Sequence, residues 1–346
     1  MNRPQHGEAT AACVSHRATD ARLRVNGDAQ PVSRSFSTSR LTLPRRGDGG
    51  MDSPMLANAT ILPEASWMRL RRAHEDRVQP WIAPHLARAS RHEKHPVYDF
   101  IFEYYSFPAR SLKRWQPGQG VVLQGSAARE FLDRPGHVAA RDGVTVDPAI
   151  FNPRRRDGVR WLLAMLRACG ERPAFFGCYG LHEWAMVYRA SEVRHAKWPL
   201  RFSGDALAKI VESQPVCCTH FDAFRFFTDA ARPLNRVQPG RATAAQFEQR
   251  GCLHANMDLY KWSYKLAPAT PSELIADAFA LAHDIREVDM RASPYDFSPL
   301  GFAPIKIETP EGRAEYEFFQ KKFARRAEPI RARLIALCER LIAAWN

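Results

Sequence analysis

No apolar run in the 346-residue chain approaches the roughly 18 residues that a membrane span requires, so no membrane partner is expected. The first stretch holds no apolar segment of the kind a secretory signal carries. Cysteine is sparse and unpaired in pattern. Cys13, Cys169, Cys178, Cys217, Cys218, Cys252 and Cys338 are odd in number and include no C-x-x-C. That excludes a zinc ribbon and a disulfide framework, and predicts reduced thiols in the cytoplasm, most of them small core residues. There is no Walker A loop, no G-x-G-x-x-G after a strand and no G-x-S-x-G elbow. Nucleotide chemistry and a serine nucleophile are therefore not expected, and the leading expectation is no cofactor. Lysine is also scarce, the first being Lys94, so the positive charge is mostly arginine.

What is present is a globular composition, 45% hydrophobic and 25% charged, with a formal net charge of +13. Residues 1–50 stand apart, with eight Arg, four acids and a single aromatic, Phe36. Such a segment buries too little apolar surface to offset its ordering entropy. Residues 1–60 are expected to be an extension outside the fold, either disordered or upstream of a true start at Met51 or Met55. The run Arg34–Arg40 resembles a mitochondrial presequence, but Glu8, Asp20 and Asp28 spoil its acid-poor character. The remaining chain still carries +9, so the basic character belongs to the folded part. An anionic partner such as nucleic acid fits that charge, as does a plain bias toward arginine.

The patterning predicts a mainly α fold, a single compact helical domain over 61–346 with a small β element near residues 119–147. Helical spacing begins at Glu64, with Pro80 and Pro84 expected to break or kink it. Pro96 opens an aromatic helix over His95–Phe107. "GVVLQG" and "HVAARDGVTVD" read as strands, the second a hairpin around Arg141-Asp142-Gly143. "DGVRWLLAMLRAC" returns to helix. Thr270-Pro271-Ser272-Glu273 reads as a capping box opening a helix to about Arg291. The last helix starts at Thr309-Pro310, with an apolar stripe from Tyr316 through Phe323 and Leu334 to Leu341 and a kink at Pro329.

Four segments mix histidine and carboxylates with large rings: Gly177–Arg189, Cys217–Phe227, Gly251–Leu266 and His283–Asp296. Polar groups in such surroundings must find partners if buried. His254 and Asp258 lie four apart on one helical face, so the carboxylate can orient the imidazole. His182, Glu183, His220 and Asp222 add donors from other segments, and the three histidines are expected to meet in one pocket. With His254 and Asp258 they make a candidate site for iron, manganese or zinc. Against metal, there is no H-E-x-x-H, and Glu192-x-x-His195 is the lone Glu-x-x-His where a di-iron bundle wants two. Structural hydrogen bonding of these histidines is the plainer reading. Trp184, Tyr188 and Trp262, with Arg225, Lys261 and Lys265 nearby, are candidates to stack a flat base and hold its phosphates. The charges Asp284, Arg286, Glu287, Asp289 and Arg291 read as a solvated ion-pair face, with Glu287–Arg291 as an i,i+4 pair.

Taken together, "HPVYDFIFEYYSF", "GLHEWAMVYR", "THFDAFRFFT", "GCLHANMDLYKWSYKL" and "DIREVDMRASPYDF" resemble a bacterial family commonly labelled 3-methyladenine DNA glycosylase. The resemblance runs from about His92 to the C-terminus. It implies DNA as the partner and hydrolysis of the N-glycosidic bond of an alkylated base. That reaction needs a carboxylate beside the oxocarbenium-like sugar, a water, and aromatic faces for the cationic base. Asp258, with His254 beside it, is then the first choice for catalysis; Asp222 with His220, or Asp289, are the others.

Overall fold

The computed structural model describes residues 59–193 and 197–345. The extension expected over 1–60 falls almost wholly outside the described residues, as does His195. The fold is mainly α with a small sheet. In chain order the elements are β1 (Thr60–Leu62), α1 (Glu64–Ser90), α2 (Asp99–Tyr104), α3 (Ala109–Lys113), β2 (Val121–Leu123), β3 (His137–Ala140), β4 (Gly143–Val146), α4 (Pro153–Glu171), α5 (Leu181–Ala185), α6 (Gly204–Glu212), α7 (Phe221–Phe224), α8 (Ala244–Phe247), α9 (Leu253–Lys265), α10 (Ser272–Arg291) and α11 (Pro310–Ala343). Among the described residues no helix is long and apolar enough to cross a membrane.

The sheet has the order β1-β2-β4-β3. The predicted hairpin forms, with Ala140 paired to Gly143 across Arg141-Asp142. Gly143 is required there because a Cβ would meet the Leu123 carbonyl oxygen at 2.0 Å. The parallel edge strand β1 went unread because three residues are too few to show an alternation. A small core of Trp67, Trp115, Leu123, Phe131 and Val144 joins the sheet to α1.

Helix α1 runs through Pro80 and Pro84 without the break that was one of the two expectations for them. Both prolines are exposed while Trp67, His74, Val78 and Ile82 form the buried side. The carbonyls that lose a donor therefore face water, which solvates them. Pro329 in α11 is exposed in the same way. The predicted N-cap of α11 is present, Thr309 Oγ1 accepting from the Gly312 amide at 3.1 Å. The capping box of α10 is not made: Ser272 Oγ accepts from the Gln116 amide, and Glu273 accepts from Trp115 Nε1 at 2.9 Å. Tertiary partners in the loop after α3 outcompete the local cap. Nor does α2 begin at Pro96; it begins at Asp99, whose carboxylate accepts from the His95 amide.

Helices α9 and α10 pack against each other and against α11, which in turn packs on α4. Thirteen of the twenty residues of α10 are buried, so polar groups on it must be satisfied inside the protein. Between α1 and α2, buried Asp99 accepts from His85 Nδ1 at 2.9 Å and from Arg88 Nε at 2.8 Å. Burial alone would raise the Asp99 pKa, but Arg88 and the His95 amide hold it down at about 2. Its contribution to stability is thus present above the ordinary carboxylate range and lost as pH falls toward 2. Asp99→Asn should cost on the order of 3 kcal/mol near neutral pH, because Arg88 is left uncompensated. Denaturant unfolding would show this; an unchanged midpoint would assign the pair no net role.

Candidate functional site

Four elements bring the polar centre together. On α9, His254, Asp258 and Lys261 share one face. Helix α10 supplies Arg286 and Asp289, α5 supplies His182 and Glu183, and His220 stands at the start of α7. The turn into α5 depends on Gly180, which has φ +70° and lies where a Cβ would meet the Tyr316 ring at 3.3 Å. The Tyr316 hydroxyl donates to Asp289 Oδ1 at 3.5 Å.

The three histidines do converge. The rings of His182 and His254 are 4.3 Å apart edge to face, and those of His220 and His254 are 5.5 Å apart and nearly parallel. Their carboxylate partners differ from the local expectation. Asp258 does not lock His254; it pairs with His220, Oδ2 to Nε2 at 3.2 Å. His254 and His182 instead face Asp289, whose Oδ2 lies 3.8 and 3.3 Å from their Nε2 atoms. A helical i,i+4 spacing brings two side chains to one face, but a deeper donor from another element took the contact. The ligand atoms of His182, His254 and Asp289 all lie within 4.8 Å of one another.

Asp258 has three donors around it. Tyr105 donates its hydroxyl to Oδ1 at 3.1 Å, while His220 and the Lys261 ammonium occupy Oδ2. Lys261 also reaches Asp222 at 3.1 Å, and Arg225 pairs with Asp222 at 3.2 Å. Glu183 accepts from Arg286 at 3.1 Å, and Arg286 also stands 3.6 Å from Asp289. Buried Glu248 lies 3.7 Å from His220.

These contacts shift the three imidazoles in opposite directions. Burial would lower the His182 pKa, but Asp289 outweighs it and raises the value. For His220 burial is likewise overcome, by Glu248 and Asp258. His254 is pushed well below its ordinary value by burial and by the neighbouring His182. Asp258 and Asp289 stay below the usual carboxylate range despite burial, because of Lys261 and His182 respectively.

A pocket of about 550 Å³, including its open mouth, reaches this centre. Its lining combines the charged or polar groups His220, His254, Asp222, Asp258, Glu183 and Arg286 with Phe100, Tyr104, Phe226, Met186 and Met257. The rings expected to face a substrate lie elsewhere. Trp184 is fully buried and donates to the Ala292 carbonyl; Tyr188 donates to Glu212; Trp262 packs on Trp161 in another groove. Trp and Tyr were favoured for their polar handles, and those handles are what tie Trp184 and Tyr188 to the scaffold. A second, smaller cavity behind His182 and His254 is lined by Cys178, Cys217, Cys218 and Cys252. The six described cysteines form no disulfide, and burial pushes the Cys218 thiol up to about 12.

Asp289 and Arg286 are the residues whose place the sequence reading most misjudged: they are buried rather than on a solvated face. The expected Glu287–Arg291 pair is absent, Glu287 accepting from Tyr98 and Arg291 turning to Glu315. A signal was available, since Asp289 follows Ala282 and Ile285 at helical spacing on the apolar stripe of α10.

Comparison with protein-family models, with curated proteins and with solved structures finds no match for the chain.

In the metal-free protein, His182 and His220 should titrate above 6.5 and His254 below it, as read from imidazole NMR signals. The stabilisation from the first two is complete below pH 6.5 and fades as pH rises through their raised values. A His254 that titrates above 6.5 would contradict the neutral imidazole at the centre.

Proposed function

We propose that the protein is an enzyme whose reaction centre takes one divalent transition-metal ion on His182, His254 and Asp289 and hydrolyses a small flat substrate admitted through the aromatic-walled pocket. The observation that carries this reading is the convergence of two imidazoles on one fully buried carboxylate oxygen. Donors about 2.1 Å from a tetrahedral ion lie roughly 3.4 Å from one another, close to the 3.3 and 3.8 Å between Asp289 and the two histidines. Two imidazoles and one carboxylate suit zinc, iron or manganese and leave positions open for water and substrate.

The charges support it too. The buried carboxylates Glu183, Asp258 and Asp289 outnumber their cationic partners, buried Arg286 and half-buried Lys261, so the centre can take further positive charge. Imidazolium supplies it without a metal; a divalent ion supplies it with both histidines neutral. A bound ion would act as a Lewis acid and activate water. His220 is the proton carrier of the pocket: Asp258 holds its Nε2, while its buried Nδ1 has no partner.

Elemental analysis of protein purified without chelator should find about one zinc, iron or manganese per chain. Asp289→Asn and His254→Ala should each abolish retention of the ion. Because metal must displace protons, affinity should rise with pH through neutrality. Folded protein that gains no thermal stability from any of the three ions would end this reading.

The narrower reading, release of an alkylated base from DNA, is favoured by one observation: Phe100, Tyr104 and Phe226 line the same pocket as the Asp258 carboxylate. Ring faces attract a cationic base. On that reading Asp258→Asn cuts base release at least ~100-fold in protein that a melting curve shows to be folded. No release by the folded, metal-loaded protein would remove it.

A further inference from the structure

Helix α9 also lines a third concavity, one residue beyond Lys261. A groove of about 710 Å³ opens between α4 and α9, lined by Phe151, Arg155, Trp161, Leu162, Trp262 and Lys265. Trp161 is 43% exposed, an unusual position for the largest side chain. It meets Trp262 edge to face with ring centroids 5.7 Å apart. Cations surround these rings. Lys261 and Lys265 stand 4.4 and 5.5 Å from the Trp262 ring, and Arg155 lies over Phe151 at 4.3 Å. Arg155 is held there by donating to the Lys265 and Ala267 carbonyls at 3.2 and 3.4 Å. Arg154 is exposed at the start of α4, and Arg160 is paired with Asp157 one turn on.

We propose that this groove is a single-stranded nucleic-acid site, in which one base stacks on Trp161, which Trp262 supports edge to face, while flanking phosphates meet Arg154, Arg155 and Lys265. An exposed ring, that of Trp161, beside a basic rim matches the two recurring features of single-strand binding. An acidic peptide would satisfy the cations and leave the rings open to water. An apolar helix would cover the rings and leave the cations unpaired. The site lies apart from the histidine centre, and its occupancy is independent of whether that centre takes a metal.

The test is fluorescence anisotropy of labelled oligo(dT) with the full chain, with inorganic polyphosphate and a polyglutamate peptide as competitors. Binding is expected to weaken steeply as salt rises. Trp161→Ala should weaken it at least fivefold, within the range for loss of one stacked base, and Trp161→Phe should restore most of the loss. Arg154→Gln should reduce affinity and flatten the salt dependence. Trp161 is exposed, so a melting curve matching that of the parent chain will verify that the variants fold. No oligo(dT) binding by the folded chain at low salt would overturn the proposal. So would competition by polyphosphate or polyglutamate at equal charge together with indifference to Trp161→Ala, since that pattern marks generic polyanion attraction.

Discussion

Asp289 has no exposed surface, and the centre is arranged around keeping it charged there. An isolated carboxylate so placed would take up a proton. It stays ionised because His182, His254, Arg286 and the Tyr316 hydroxyl approach it from α5, α9, its own helix and α11. Four segments distant in sequence are thereby committed to one point. Asp258 repeats the arrangement a short distance away with His220, Lys261 and Tyr105.

Such networks add little net stability, because desolvation offsets most of the attraction between the charges. Stability must come from elsewhere in the molecule. The long apolar side of α11, the α9–α10 contact and the tryptophan cluster beneath the sheet supply it. This division is expected where an apolar scaffold holds a polar site: the scaffold tolerates the cost of a centre with perturbed charge states. A neutral His254 between two imidazoles of raised pKa is the kind of asymmetry that proton transfer or metal binding uses.

Local rules describe much of the fold. The hairpin around Arg141-Asp142-Gly143, helix α4, the span of α10 and the cap and apolar stripe of α11 follow from spacing and turn chemistry alone. The same rules failed where a tertiary partner entered. Water-facing carbonyls let α1 pass through two prolines, and Trp115 drew Glu273 away from a local cap.

The sequence by itself determined that the chain is mainly helical, that a small sheet lies near residues 119–147, and that His182, His220 and His254 belong to polar segments needing internal partners. Burying such groups without partners is costly, so their density among large rings already signalled convergence. Only the tertiary structure decided the pairing: His220 with Asp258, His182 and His254 with Asp289, and Phe100, Tyr104 and Phe226 rather than Trp184, Tyr188 or Trp262 as the pocket's rings. A helix face states which side chains can be neighbours one turn apart. Which carboxylate an imidazole finally meets depends on the packing of helices that lie far apart along the chain, and no local spacing encodes it.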